Sequence, residues 1–252
     1  MAARLLGPRA LTAALALLAL VALLSWGLSP YARFLHHEYE PASAGGQAVA
    51  IAFFLTGWLL MCTAMMLPTT TALVHAFDRM TQARPLAERA RLRLLLIAGF
   101  LAVWVVVGYL FRALDVLIHA TVDAVGWLGA HAGIVAAVTL AIAGAYQFAP
   151  IKQRCLTACR SPRALLTGGW SGARPVADAL RIGVAYGRSC VGCCWALMLV
   201  MFGLGMSNPA LMLGLAALMT AERFAPTRLR LGEAAGMVLL GASAIVAVGT
   251  LT

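Results

Sequence analysis

The chain has 252 residues, 62% of them hydrophobic and 11% charged, with a mean hydropathy of +0.90. A soluble domain carries roughly a quarter of its residues as charges, so this chain lacks the polar surface to solvate a globule, and lipid is the expected solvent. The formal charge of +10 does not indicate nucleic acid, because the basic residues lie between apolar runs and form no single footprint.

A spanning helix needs about 20 apolar residues. In chain order, runs near 10–28, 48–68, 94–111, 130–149 and 234–251 meet that need. The stretch 190–221 is interrupted only by Met206-Ser207-Asn208-Pro209. Asn-Pro favours a turn, so this stretch reads as two shorter spans near 190–206 and 209–221. The expectation is an all-α, polytopic transmembrane helical bundle of about seven spans in one membrane domain, or six if that hairpin is re-entrant. Arg4 and Arg9 precede the first run as in a signal peptide. The run exceeds the roughly 7–15 residues of a signal core and no small-x-small cleavage site follows, so a retained helix is expected.

Orientation follows from the single Lys and the arginines. All of them except Arg33 and Arg112 fall in the amino-terminal tail or in the second-to-third, fourth-to-fifth and sixth-to-seventh connections. Cytoplasmic segments carry the Lys/Arg excess, so the amino terminus is expected inside and the carboxyl terminus outside. The longest connection, residues 150–189, is then cytoplasmic. It holds the breakers Pro162, Gly168, Gly169, Gly172 and Pro175, and from Val176 reads as a helix running into the fifth span. Gly183-x-x-x-Gly187 and Gly232-x-x-x-Gly236 fit close helix packing.

The chemistry resides in sulfur. Cys155 and Cys159 are spaced i, i+4, so on a helix both thiols share a face. Cys190, Cys193 and Cys194 are spaced i, i+3, i+4 at the start of the fifth span, and Met198 and Met201 continue that stripe. On the second span Cys62, Met65 and Met66 share a face just before Pro68. These groups cluster towards the cytoplasmic half of the membrane, and Glu222 lies at the inner end of the sixth span. Equal depth makes Cys62 and Met66 candidates to face Cys193 or Cys194. Soft thiolate and thioether ligands select Cu(I), Zn or iron–sulfur chemistry, and the mixture of Cys with Met leans towards Cu(I). Packing is the competing explanation, since free Cys behaves as a small hydrophobe and Met as a flexible core filler. A reducing cytoplasmic side disfavours disulfides. On the opposite face, His36, His37, Glu38 and Glu40, with the row Asp115, His119 and Asp123, could capture a hard cation or simply supply interfacial polarity.

Three motifs carry a resemblance: Trp58-x-x-Met61-x-x-Ala64-Met65-Met66-x-Pro68, Tyr146-Gln147-x-x-Pro150-x-Lys152-x-x-Cys155-Leu156-x-x-Cys159-Arg160, and Cys190-x-Gly192-Cys193-Cys194-Trp195-x-Leu197-Met198. Together they resemble the bacterial family called domain of unknown function 2182, integral membrane proteins assigned as metal-binding. The resemblance runs from the second span to the sixth. It implies that the Gly205-Met206-x-Asn208 turn and Glu222 belong to the pattern, whereas the His36–Glu40 loop does not.

The expected ligands are therefore Cys155, Cys159, Cys190, Cys193, Cys194, Cys62, Met65, Met66, Met198 and Glu222. The expected cargo is a soft transition metal ion, Cu(I) before others. The expected role is metal handling, transfer or delivery at a bacterial inner membrane, with no catalytic residue assigned. Partners would be the lipid bilayer and a metal-donor or acceptor protein or a membrane complex, and not nucleic acid. The alternatives are a thiol–disulfide oxidoreductase using Cys155/Cys159 and Cys193/Cys194, or a structural subunit whose cysteines merely pack.

Overall fold

A computed structural model of the chain describes residues 8–29, 43–131, 133–204, 209–226 and 229–251. Among them there is no strand. The helices are α1 (Pro8–Gly27), α2 (Ala44–Met66), α3 (Thr71–Met80), α4 (Leu86–Ala124), α5 (Gly126–Ala130), α6 (Gly133–Tyr146), α7 (Pro150–Arg160), α8 (Arg163–Gly169), α9 (Pro175–Leu204), α10 (Pro209–Phe224) and α11 (Leu231–Leu251). A 3-10 turn at Pro68–Thr70 links α2 to α3.

Five helices, α1, α2, α4, α9 and α11, are long and apolar enough to cross a membrane. A sixth span results if α6 and α7, bent by 65° at the break between them, count as one. The chain is an all-α, multi-pass membrane protein. The expected sixth span coincides with α10, whose 16 residues reach about 24 Å at 1.5 Å per residue, short of a hydrocarbon core of about 30 Å. The segment 150–189 is mostly helix, because α9 begins at Pro175, well before residue 190. The Gly205-Met206-x-Asn208 turn, the His36–Glu40 loop, Arg4, Arg33 and Arg228 lie outside the described residues.

Two compact units divide the chain: Met1–Gly108 with Thr157–Val191, and Tyr109–Leu156 with Gly192–Thr252. In the first, α2 stops at Pro68, which cannot donate to the helix ladder. Thr69, Thr70 and Thr71 satisfy the carbonyls left at this stop, donating to Met66 O (2.6 Å), Leu67 O (2.7 Å) and Pro68 O (2.6 Å). Trp58 Nε1 donates to Trp104 O (2.8 Å) and ties α2 to α4. The same helix α4 is crossed at close range by α9. A Cβ at Gly183 would overlap Leu96 O, and one at Gly99 would lie 2.6 Å from Leu180 O, so only small residues permit this backbone approach. In the first turn of α9, Asp178 Oδ2 accepts from Ser171 N (2.9 Å), Ser171 Oγ (2.8 Å) and Gly172 N (2.9 Å) of the preceding loop. Gly172 sits at φ 75°, a left-handed conformation that glycine adopts without steric cost. Pro175, at the first helical position, has no N–H to leave unsatisfied.

In the second unit, α6 and α11 pack along one another. A Cβ at Gly144 would lie 3.0 Å from Gly236 O, and Ser243 Oγ donates to Ala137 O (2.7 Å). The Gly236 half of the expected small-residue motif therefore faces α6.

Candidate metal centre

Cys190, Cys193 and Cys194 occupy successive positions on one face of α9, and their sulfurs all lie within 4.8 Å of one another. The i, i+3, i+4 spacing dictates this, because a helix turns once in 3.6 residues. Three sulfurs around one ion at about 2.3 Å sit about 4 Å apart, so the cluster matches a three-thiolate site without rebuilding the backbone. Cys190 and Cys194 are buried and Cys193 is half-buried. Among the described residues, no other group of three His, Cys, Asp or Glu ligand atoms converges this closely. All six cysteines are thiols and not disulfides.

A second helix delivers Cys155 to the same region. Gly192, between Cys190 and Cys193 on α9, leaves the space that Cys155 Sγ occupies, and a Cβ there would overlap that sulfur. Cys155 lies within range of Cys193. Tyr146, at the end of α6, donates its hydroxyl to Gly192 O (2.6 Å) and meets Trp195 edge-on at 4.9 Å between ring centroids. Its hydroxyl is also within electrostatic reach of Cys155, Cys193 and Cys194. Gly192 is thus the point where α6, α7 and α9 meet.

Helix α7 is held in place by a buried ion pair. Lys152 Nζ reaches Glu222 Oε1 (2.7 Å) and Oε2 (2.8 Å) on α10, and also hydrogen-bonds Gln147 Oε1. The Lys152 side chain is completely buried and that of Glu222 is 4% exposed. Both carboxylate oxygens of Glu222, expected among the metal ligands, face an ammonium group in this structure. Gly232 flanks the pair: a Cβ there would lie 3.3 Å from Glu222 Oε1 and 3.4 Å from Lys152 Nζ. In the sequence Lys152 is a topology charge and a member of the Tyr146–Arg160 motif, with no buried partner assigned to it. The available signal was its identity as the one lysine beside eighteen arginines. Its compact ammonium carries three donors, which here serve the Glu222 carboxylate and Gln147 Oε1 together.

The remaining expected ligands are each described within their own helix. Cys62, Met65 and Met66 are buried on α2. Cys159 is buried on α7, and its carbonyl lies 3.4 Å from the Tyr186 hydroxyl. Met198 is fully buried, two turns along α9 from Cys190. In the Asp115–His119–Asp123 row, Arg112 Nη1 donates to Asp115 Oδ2 (3.0 Å) and His119 Nδ1 lies 3.3 Å from Asp115 Oδ1. The Asp115 charge is thereby met within α4 itself.

The sequence pattern of the family described as PpoB2, copper chaperone, matches residues 55–246. No curated protein and no solved structure matches the chain.

Proposed function

We propose that this chain, which belongs to the PpoB2 copper chaperone family, holds Cu(I) as cargo on Cys190, Cys193 and Cys194 and passes it to an acceptor protein at the membrane. The observation that carries this reading is the convergence of three thiols on one helix face, all within 4.8 Å, in a chain whose family is described by copper. Thiolates are soft ligands that favour Cu(I). Each thiol that binds releases its proton, so loading is coupled to proton release. Exchange between thiolates leaves the oxidation state unchanged, and Cys193 is the half-buried member through which an entering or leaving ligand can attack. Cys155 is the fourth sulfur, placed to take over one coordination position while the ion moves. Cys62, Met65, Met66, Cys159 and Met198 serve as further sulfur positions for the cargo, and Glu222 acts through Lys152.

The finer topology belongs to the same proposal. Counting the bent α6–α7 pair as one crossing and the short α10 as another, which requires local thinning of the bilayer, gives seven with the five long helices. The basic segments then alternate sides, with the amino terminus and the α8 region on the cytoplasmic side of a bacterial inner membrane. The resemblance to domain of unknown function 2182 supports the membrane setting and the metal.

The test is a Cu(I) titration of the purified full chain in detergent against a chromogenic Cu(I) chelator. One tightly held Cu(I) is expected. Serine at any one of Cys190, Cys193 or Cys194 should weaken it at least tenfold, the equivalent of about 1.4 kcal/mol. Equal retention by the triple serine variant would dispose of the site.

A further inference from the structure

In the first unit, α3 and the α7–α8 corner enclose an open cavity of about 830 Å³, within the size range of small-molecule sites, roughly 300–1,000 Å³. Arg79 and His75 from α3 and Arg160 and Arg163 from the corner line it, and among the described residues that line it none is a carboxylate. The acidic residue beside Arg79, Asp78, is turned to other cations: it accepts from Arg89 (2.7 Å) and lies 3.5 Å from Arg93. Three guanidinium groups thus face one concave space, those of Arg79 and Arg163 among them on exposed residues. The rest of the lining includes Met80 and Leu166, so one part of the cavity is cationic and another apolar. Only the Pro68–Thr70 turn separates the end of span α2 from α3, which puts this cavity at the polar boundary of a membrane span.

We propose that this cavity binds a phosphate-bearing anion, and that its position and mixed lining favour the headgroup of an anionic phospholipid as the source. Guanidinium forks match phosphate oxygens in pairs, and basic pockets at the ends of membrane helices take anionic headgroups. The apolar lining would accept the glycerol end of the acyl chains. Such a ligand would join α3 to the α7–α8 corner from outside, independently of any metal on α9.

The experiment is native mass spectrometry of the full chain in detergent, titrated separately with phosphatidylglycerol, phosphatidylcholine and inorganic phosphate. The probes are the chain itself, Arg79→Gln/Arg163→Gln, and Arg174→Gln, which removes an exposed charge that does not line the cavity. Phosphatidylglycerol should bind in preference to phosphatidylcholine. The double variant should lose about fivefold per arginine, the fold-change corresponding to about 1 kcal/mol for each basic group near an anionic surface. Arg174→Gln should bind as the unaltered chain does. Inorganic phosphate binding that the double variant abolishes, without lipid preference, would assign the same site to a free anion. Equal binding of both lipids with no phosphate binding, an undiminished double variant, or an equal loss in Arg174→Gln would overturn the proposal. Unchanged thermal midpoints without ligand would show that the variants fold.

Discussion

Removing the charge of Glu222 should destabilise the second unit more than almost any other single polar substitution. Glu222→Gln leaves the Lys152 ammonium where it is, completely buried, with only neutral acceptors around it. Breaking a buried pair on one side costs about 3–5 kcal/mol, because a desolvated charge is left uncompensated. Against a total stability of about 5–15 kcal/mol for a folded domain, that is roughly a fifth or more. Lys152→Met strands the carboxylate instead and should cost a similar amount. The double variant Lys152→Met/Glu222→Leu removes both charges and should return to within about 1 kcal/mol of the unaltered chain, since apolar replacement of a buried pair is often neutral. The assay is reversible denaturant unfolding in detergent, followed by tryptophan fluorescence, over the complete mutant cycle. A Glu222→Gln loss below about 1 kcal/mol, or a double variant as unstable as either single, would refute the reasoning.

Other expectations are narrower. Gly192→Ala should displace Cys155 Sγ at a stability cost of about 1 kcal/mol, raise alkylation of Cys155, and weaken Cu(I) retention; unchanged alkylation would mean that Gly192 does not seat this thiol. Gly183→Ala drives a Cβ into Leu96 O and should cost about 3 kcal/mol, the upper end for overpacking; a near-neutral result in thermal unfolding would contradict the close α4–α9 crossing. For topology, a reporter cysteine at Arg163 in a cysteine-free background should resist impermeant thiol reagents in intact cells, whereas one at Ala44 should react. Labelling at Arg163 from outside would invert the orientation.

Local features were legible in the sequence because they are set by neighbours along the chain. Pro68 had to end α2, and it does. The cysteine spacing on α9 had to put three thiols on one face, and Gly183 with Gly187 marked a close crossing that α4 supplies. What spacing could not reveal was which helix sits opposite. The seat of Cys155 on Gly192 depends on α7 bending 65° away from α6, and no periodicity encodes that angle. Lys152 illustrates the same limit: its charge fits a positive-inside loop as well as a buried pair, and only the tertiary position of Glu222 decides between them. The length of α4, 39 residues, was also hidden, because its polar ends at Glu88 and Asp115 look like loop until their ion pairs within and beside the helix are seen.

The central claim is that the thiols of α9 hold the copper, and copper K-edge X-ray absorption of the Cu(I)-loaded chain tests it most directly. The account predicts a Cu(I) edge and a first shell of two or three sulfurs, near the roughly 2.3 Å typical of metal–thiolate bonds. It also predicts loss of that shell in Cys190→Ser/Cys193→Ser/Cys194→Ser. A first shell of nitrogen and oxygen alone, or a sulfur shell that survives the triple substitution, would contradict it.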